Sequence, residues 1–304
     1  MADTGDRRFD YSAILAEIAG LLRKQIFFVG GVAKSGTSWV QHLLNLHPQV
    51  SCGGESHFGD SLYRLLKQAL ETYNERVLDR SQNPFRYEIG EVPDIYGPDE
   101  LFCVVATAIL ALLRKTAQGK AAQAIGERTP DNVDRFGLLA DMIPGSKFIQ
   151  VVRDPRDAAV SAWHHNQRLN SEEAKRRFGA ALPAFAREFA DAWVYHVSRG
   201  LGFAARNPGR YLDLSYGDLL AEPVPSLARV CRFLGVDDSA ATLEGCVEAA
   251  SFERMTGGRA RGQEDQASYF RKGVAGDWRN HLDAETQAYM TEKAGALMRR
   301  FGFH

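Results

Sequence analysis

The sequence predicts a three-layer α/β fold, a mostly parallel central sheet flanked by helices. Three observations carry this reading. Short apolar, β-rich runs alternate with helical patterns along the chain, which implies parallel strands joined by helical crossovers. The first of these runs ends in a glycine-rich turn that opens directly into a helix, a P-loop-like arrangement. The 304 residues, 45% of them hydrophobic and 25% charged, suffice for one large core without disulfide or metal staples.

In chain order, an amphipathic helix over Tyr11–Lys24 precedes the apolar strand Ile26–Val32. A helix over Ser38–Leu46 follows the glycine turn and stops at His47-Pro48, and a short strand spans Gln49–Cys52. Glu100–Lys115 is helical and Ala122–Gly126 a weaker strand. Lys147–Val152 is a buried strand closed by the charged turn Arg153-Asp154-Pro155, with a helix over Arg156–Gln167 behind it. A helix over Leu182–Arg199, an alternating strand Arg210–Ser215 and a helix over Pro225–Phe233 complete the pattern. No repeat, low-complexity block or linker divides the chain, so residues 1–304 are read as one domain with a core at about 25–282.

Lys plus Arg number 37 and Asp plus Glu 38, and no basic stripe is interleaved with aromatics, so a nucleic-acid binder is not expected. Met1–Asp10 has no apolar core for a secretory signal, and the longest uncharged apolar run, Leu101–Leu113, is too short to span a bilayer. Cys52, Cys103, Cys231 and Cys246 form no CxxC pair and no framework, which predicts reduced, mostly buried thiols and a cytoplasmic home. With no HExxH and scattered histidines, no metal site is expected.

Ligands of parallel sheets sit at the carboxyl ends of strands. There the first strand runs into Gly30-Gly31-Val32-Ala33-Lys34-Ser35-Gly36-Thr37-Ser38-Trp39, a turn whose glycines and following helix start suit an anion. Gly31 and Gly36 have Walker A spacing, but Thr37 stands where that pattern needs lysine, so an NTPase would lack its β/γ-phosphate cation. The string Lys34 to Trp39 resembles the 5′-phosphosulfate loop of sulfotransferases that use 3′-phosphoadenylyl sulfate (PAPS). Val151 to Ser161 is similar to that family's VxRxPxDxxxS segment, which implies that Arg153 and Ser161 grip the 3′-phosphate. The alternative for Arg153 is an ion pair with Asp154 or Asp157. Arg271-Lys272-Gly273-Val274-Ala275-Gly276-Asp277-Trp278-Arg279-Asn280 resembles the RKGxxGDWxN string, whose Arg, Lys and Gly close over the same phosphate. Tyr216, in a segment like the family's YEDL, and Phe252, in its SF pair, are implied adenine contacts, with Phe252 and Trp39 sandwiching the base. The glycine-rich stretch Thr256–Gln266 is a candidate lid.

The resemblance also frames the base. There is no histidine between His57 and His164, so the KTHLP-type base of the cytosolic branch is missing. Ile125 to Pro130 is similar instead to the EKTP string of glycan and bacterial members, with Arg128 for lysine. Those branches imply a glutamate after the first helix, here Glu55, while Glu127 stays open as the alternative base, as an acceptor contact, or as a partner of Arg128 or Lys34. Lys34, helped by Arg128, would neutralise the leaving phosphate. His57 shares Glu55's side if the segment is extended, where it contacts acceptor or caps the pocket, with Phe58 beside it. The implied activity is sulfuryl transfer from PAPS, without a metal, to an alcohol, sugar or other small-molecule hydroxyl. A P-loop kinase and a non-catalytic nucleotide-binding protein are the rival readings. The acceptor pocket is expected from Phe58–Pro98 and Arg168–Phe185.

Overall fold

The computed structural model describes residues 10–81, 94–117, 119–179 and 181–304. Five strands, β1 (Gln25–Gly31), β2 (Val50–Gly53), β3 (Ala124–Arg128), β4 (Lys147–Val152) and β5 (Tyr211–Ser215), form one sheet in the order β2-β3-β1-β4-β5. Every pairing is parallel. All the strands therefore end on the same edge of the sheet.

The sheet is buried on both faces, so its strands read as continuous apolar runs rather than as an alternation. On one face Phe27 and Val29 of β1, with Ile149 and Val151 of β4, pack on α2 (Thr37–Leu46), α9 (Tyr216–Ala221), α10 (Pro223–Leu234) and α11 (Ala240–Ala249). On the other, Ile26, Phe28, Ile125 and Phe148 meet α1 (Tyr11–Leu21), α4 (Pro98–Thr116), α5 (Asn132–Met142) and Phe203 of α8 (Leu182–Arg206). These are the three layers that the sequence pattern predicts. Beyond the sheet edge, Trp193 and Val197 of α8 close with Ala294 and Met298 of α13 (Ala284–Arg300) against Val32 and Val152.

Strand order puts a topological switch beside β1: the connection to β2 runs to one side, while β4 lies on the other. The crevice at such a point is where parallel sheets bind ligands. Three helix starts matter for it. Gly36 caps α2 with no side chain. Asp154 caps α6 (Pro155–Arg168), accepting from the Arg156 N–H at 2.9 Å, with Pro155 preset for the first turn. Ser215 caps α9 through the Asp218 N–H.

Three sequence expectations are corrected. The weak strand lies at Ala124–Arg128, two residues later than the expected Ala122–Gly126, because its pairing with β1 runs from Ala124 opposite Gln25 to Arg128 opposite Val29. Glu127 and Arg128 therefore belong to the strand end and not to the loop. The helix from Leu182 continues past Arg199 to Arg206, and α1 stops at Leu21. The helices α3 (Tyr63–Ser81), α5, α7 (Glu172–Phe178), α11 and α13 carried no reading in the sequence. The expected acceptor region over 58–98 includes residues 82–93, which lie outside the described residues. All four cysteines are free thiols, three of them buried. Among the described residues no helix is long and apolar enough to cross a membrane.

Candidate active site

A cavity of about 410 Å³ opens at the carboxyl edge of the sheet. The turn after β1 forms its floor. Gly36 has φ +98°, a left-handed conformation, and a Cβ placed there would lie 2.4 Å from the Tyr216 ring. With no capping side chain, the first N–H groups of α2 are left for an anion. Gly36→Ala is expected to cost about 1–3 kcal/mol through strain and the ring clash, checked by urea denaturation.

Lys34, Thr37, Ser38 and Trp39 line the cavity, while Ser35 is fully buried, its Oγ without a hydrogen-bond partner among the described residues. The Lys34 backbone is also left-handed, with φ +67°. Its ammonium sits 4.1 Å from the centroid of the Tyr269 ring, and the Tyr269 hydroxyl meets Ser38 Oγ at 2.7 Å. Burial, reinforced by the Arg153 and Arg168 guanidinium groups, brings the Lys34 pKa down to about 8.

Arg153 leaves the end of β4 and enters the same cavity. Neither acid suggested as its partner holds it. Asp154 is taken by α6 and Arg156. Asp157 accepts the Gly276 and Trp278 N–H groups at 2.6 and 3.1 Å. The Arg153 guanidinium instead donates to the Lys34 carbonyl at 3.1 Å and lies over the Tyr216 ring at 4.6 Å. Its buried Nε has no hydrogen-bond partner among the described residues. A cation whose hydrogen bonds among the described residues go to carbonyls, with an orphaned buried N–H, fits an anionic ligand.

Ser161, one helical face further on, lines the same wall. Across from it, Lys272 and Arg271 share Asp277, and Arg271 also pairs with Glu264 at 2.8 Å. Hydrogen bonds from Lys272, Arg271 and Asn280, with the Arg271 charge, hold the Asp277 carboxyl well below the usual carboxylate range against its burial. The two cations are therefore fixed in place ahead of any ligand. Gly273 has φ +69°, and a Cβ placed there would lie 2.5 Å from the Phe252 ring. Trp39 and Phe252 both line the cavity, as does Tyr216, whose ring meets Trp39 edge-on at 5.9 Å. The Thr256–Gln266 stretch folds over this wall, held by Arg259, which donates to the Phe270, Arg271 and Gln263 carbonyls.

The two candidate bases separate cleanly. Glu55 lines the cavity with 48% of its side chain exposed, and ion-pairs with Arg128. Glu127 is fully buried and does not line it. It accepts from the Ser56 N–H, the Thr129 hydroxyl and the Asn132 amide, so it ties the 54–57 loop to β3 and α5. Burial pushes its pKa up against those three hydrogen bonds. The expected pairing of Glu127 with Arg128 or Lys34 does not occur, because its strand position points it into this network. Arg128 lines the cavity as well, where it ion-pairs with Glu55 and donates to Gln41 Oε1 at 2.8 and 3.1 Å.

Neither His57 nor Phe58, the expected acceptor contacts, lines this cavity. His57 has φ +51°, so the segment is not extended there, and the ring pairs with Asp60 at 3.0 Å outside the cavity wall. That hydrogen bond raises its pKa. Phe58 is a core residue, 1% exposed, packed with Phe136 and Leu139.

A model of the sulfotransferase family matches residues 26–240. The chain belongs to the sulfotransferase family. Cytosolic sulfotransferase 17 of Arabidopsis thaliana is 29% identical over 178 residues, half of this chain and half of that protein. The chain thus spans about half the length of the curated relatives it matches. The crystal structure of mouse sulfotransferase SULT7A1 complexed with PAP superposes with a TM-score of 0.57 at 20% identity, covering 94% of this chain and 92% of that one. Sulfotransferase STF9 from Mycobacterium avium gives 0.54 at 14% identity, over 97% and 81%. These likenesses show a shared fold.

Within this sulfotransferase, cavity residues that sequence reading did not single out include His165, Tyr269, Phe270, Leu220 and Met255. The spacing held a signal for the first, since His165 is four residues after Ser161 and so on the same helix face. Tyr269 lies two residues before the Arg271 string, and nothing in its own neighbourhood marks it.

Proposed function

We propose that this sulfotransferase transfers the sulfuryl group of PAPS to the hydroxyl of an alcohol, sugar or other small molecule. The observation that carries the proposal is the pair Lys34 and Arg153. Both are cations facing one cavity, neither has a carboxylate partner among the described residues, and the Arg153 Nε is an orphaned buried donor. Bound PAPS supplies an activated sulfur: a new S–O bond forms to the acceptor oxygen as the bond to the 5′-phosphate breaks, leaving adenosine 3′,5′-bisphosphate (PAP).

The chain's own side chains do the rest. Lys34 and the first-turn N–H groups of α2 offset negative charge on the departing 5′-phosphate. Arg153, Ser161, Arg271, Lys272 and the Gly273 backbone hold the 3′-phosphate, and Trp39, Tyr216 and Phe252 frame the base. Glu55 takes the acceptor proton, and Arg128, gripped by Gln41, orients its carboxylate. These cations supply the charge that a divalent ion supplies to kinases, so the reaction calls for no metal. Incubation with radiolabelled PAPS and a panel of alcohols and sugars tests the reading. Labelled ester and stoichiometric PAP are expected, and PAP binding without any ester would favour a binding protein.

A second consequence follows from Lys34. With a pKa near 8 in the free protein, it is partly deprotonated at pH 8 to 9. A bound phosphate favours the ammonium and raises that pKa, so PAP binding takes up protons, and affinity falls as pH rises through about 8. Calorimetry at pH 8.5 in buffers of different ionisation enthalpy is expected to show uptake that Lys34→Met abolishes.

A further inference from the structure

Assigning the cations around the cavity leaves two, Arg261, whose guanidinium lies over the Trp39 ring at 5.6 Å, and Arg168. Arg128 is matched by Glu55, and Arg271 and Lys272 by Asp277 and Glu264. The proposed function uses Lys34 and Arg153 on the two phosphates. Arg168, the last residue of α6, has no carboxylate partner among the described residues and instead donates from Nη2 to His165 Nδ1 at 3.1 Å. A guanidinium has no lone pair to offer, so Nδ1 must be the unprotonated nitrogen and the ring proton resides on Nε2. No hydrogen-bond partner for that Nε2 occurs among the described residues, and the ring itself lines the cavity. It packs edge-on against the Tyr269 ring at 5.8 Å, and the same ring carries the Lys34 ammonium. Arg168 thus fixes a neutral donor between itself and Lys34.

We propose that His165 and Arg168 form a third anion site, specific for the oxygens of the transferred sulfate group and separate from the two phosphate points. The inference rests on the PAPS reading above. Its chemistry is simple: a fixed Nε2–H donates to a sulfate oxygen while Arg168 supplies the charge. His165 does not serve as the base, because its acceptor nitrogen is already occupied. The groups that set its charge state are Lys34 from the β1 turn, Arg168 from its own helix and Glu55 from the β2 loop, with the neutral Tyr269 ring against it. Burial first, then Lys34 and Arg168, hold its pKa below the usual histidine range, against Glu55.

The test compares PAP with PAPS, which differ only in that group. Wild type, His165→Phe, His165→Gln and Arg168→Gln are titrated with each nucleotide, and the His165 ring is followed by NMR. PAP affinity is expected to stay within about twofold in every variant, which also reports that each is folded. PAPS affinity is expected to fall about tenfold in His165→Phe and Arg168→Gln, the size of one charge-assisted hydrogen bond, and to recover largely in His165→Gln. In the wild-type NMR titration the His165 pKa is expected to rise on binding PAPS but not PAP. Equal losses for both nucleotides, or an unchanged PAPS-to-PAP ratio with an unmoved His165 signal, would overturn the site. A wild-type protein that binds neither nucleotide would overturn the donor reading and this site with it.

Discussion

Arg153→Ala is expected to weaken PAP binding about a hundredfold while leaving the protein folded. The loss is large because the guanidinium is a partly buried cation without a countercharge, poised over Tyr216 with an orphaned Nε. Truncating one side of such a charge pair costs on the order of 2–5 kcal/mol in binding. The fold survives because the position is held through its backbone: Trp193 Nε1 donates to the Arg153 carbonyl at 2.9 Å, and Asp154 still caps α6. Removing an unpaired buried charge also relieves its repulsion of Lys34, so the Lys34 pKa is expected to rise in the variant. Calorimetry with PAP checks the affinity and a thermal melt the fold.

Glu55→Gln is expected to lower kcat by about 10²–10⁴ with PAP affinity retained, the range removed when a general base is lost. The side chain is half exposed, so losing its ion pair with Arg128 changes stability little. Glu127→Gln is expected to behave in the opposite way. It removes a carboxylate that accepts from Ser56, Thr129 and Asn132 in the interior, so it lowers stability by about 1–3 kcal/mol and perturbs the Glu55 loop indirectly. Steady-state kinetics beside urea denaturation of the two variants separate the roles. Normal turnover by Glu55→Gln would remove it as the base.

The sheet was legible in the sequence because β1 and β4 are buried on both faces and leave runs of Phe, Ile and Val that no surface helix would carry. The helices α3 and α13 were not: α3 has no buried residue among those described, and the stripe that α13 buries, Thr286, Met290, Ala294, Gly295 and Met298, is mostly small or polar and gives little apolar periodicity. The β3 boundary slipped because Gly126 interrupts the run and the buried Glu127 reads as a loop residue; only Ser56, Thr129 and Asn132 make its burial tolerable. In the site, Lys34, Arg153 and the Arg271 string stand where strand ends and glycine turns point, a local property. What Arg128 does is not local. Its partners Gln41 and Glu55 come from 87 and 73 residues away, and no spacing rule connects them. His57 and Phe58 do not line the cavity: the backbone at His57 is left-handed, so the segment is not extended there, and Phe58 is buried in the core.

The central claim is that the Lys34 loop, Arg153 and the Arg271 wall together recognise a nucleotide with phosphates at both the 3′ and 5′ positions. Calorimetric titration of the wild-type protein with PAP and with ATP tests it most directly. PAP is expected to bind at least about a hundredfold tighter, because ATP has no 3′-phosphate for Arg153 and Thr37 replaces the lysine that would reach its terminal phosphates. Equal affinity for the two, or tighter binding of ATP, would contradict the account.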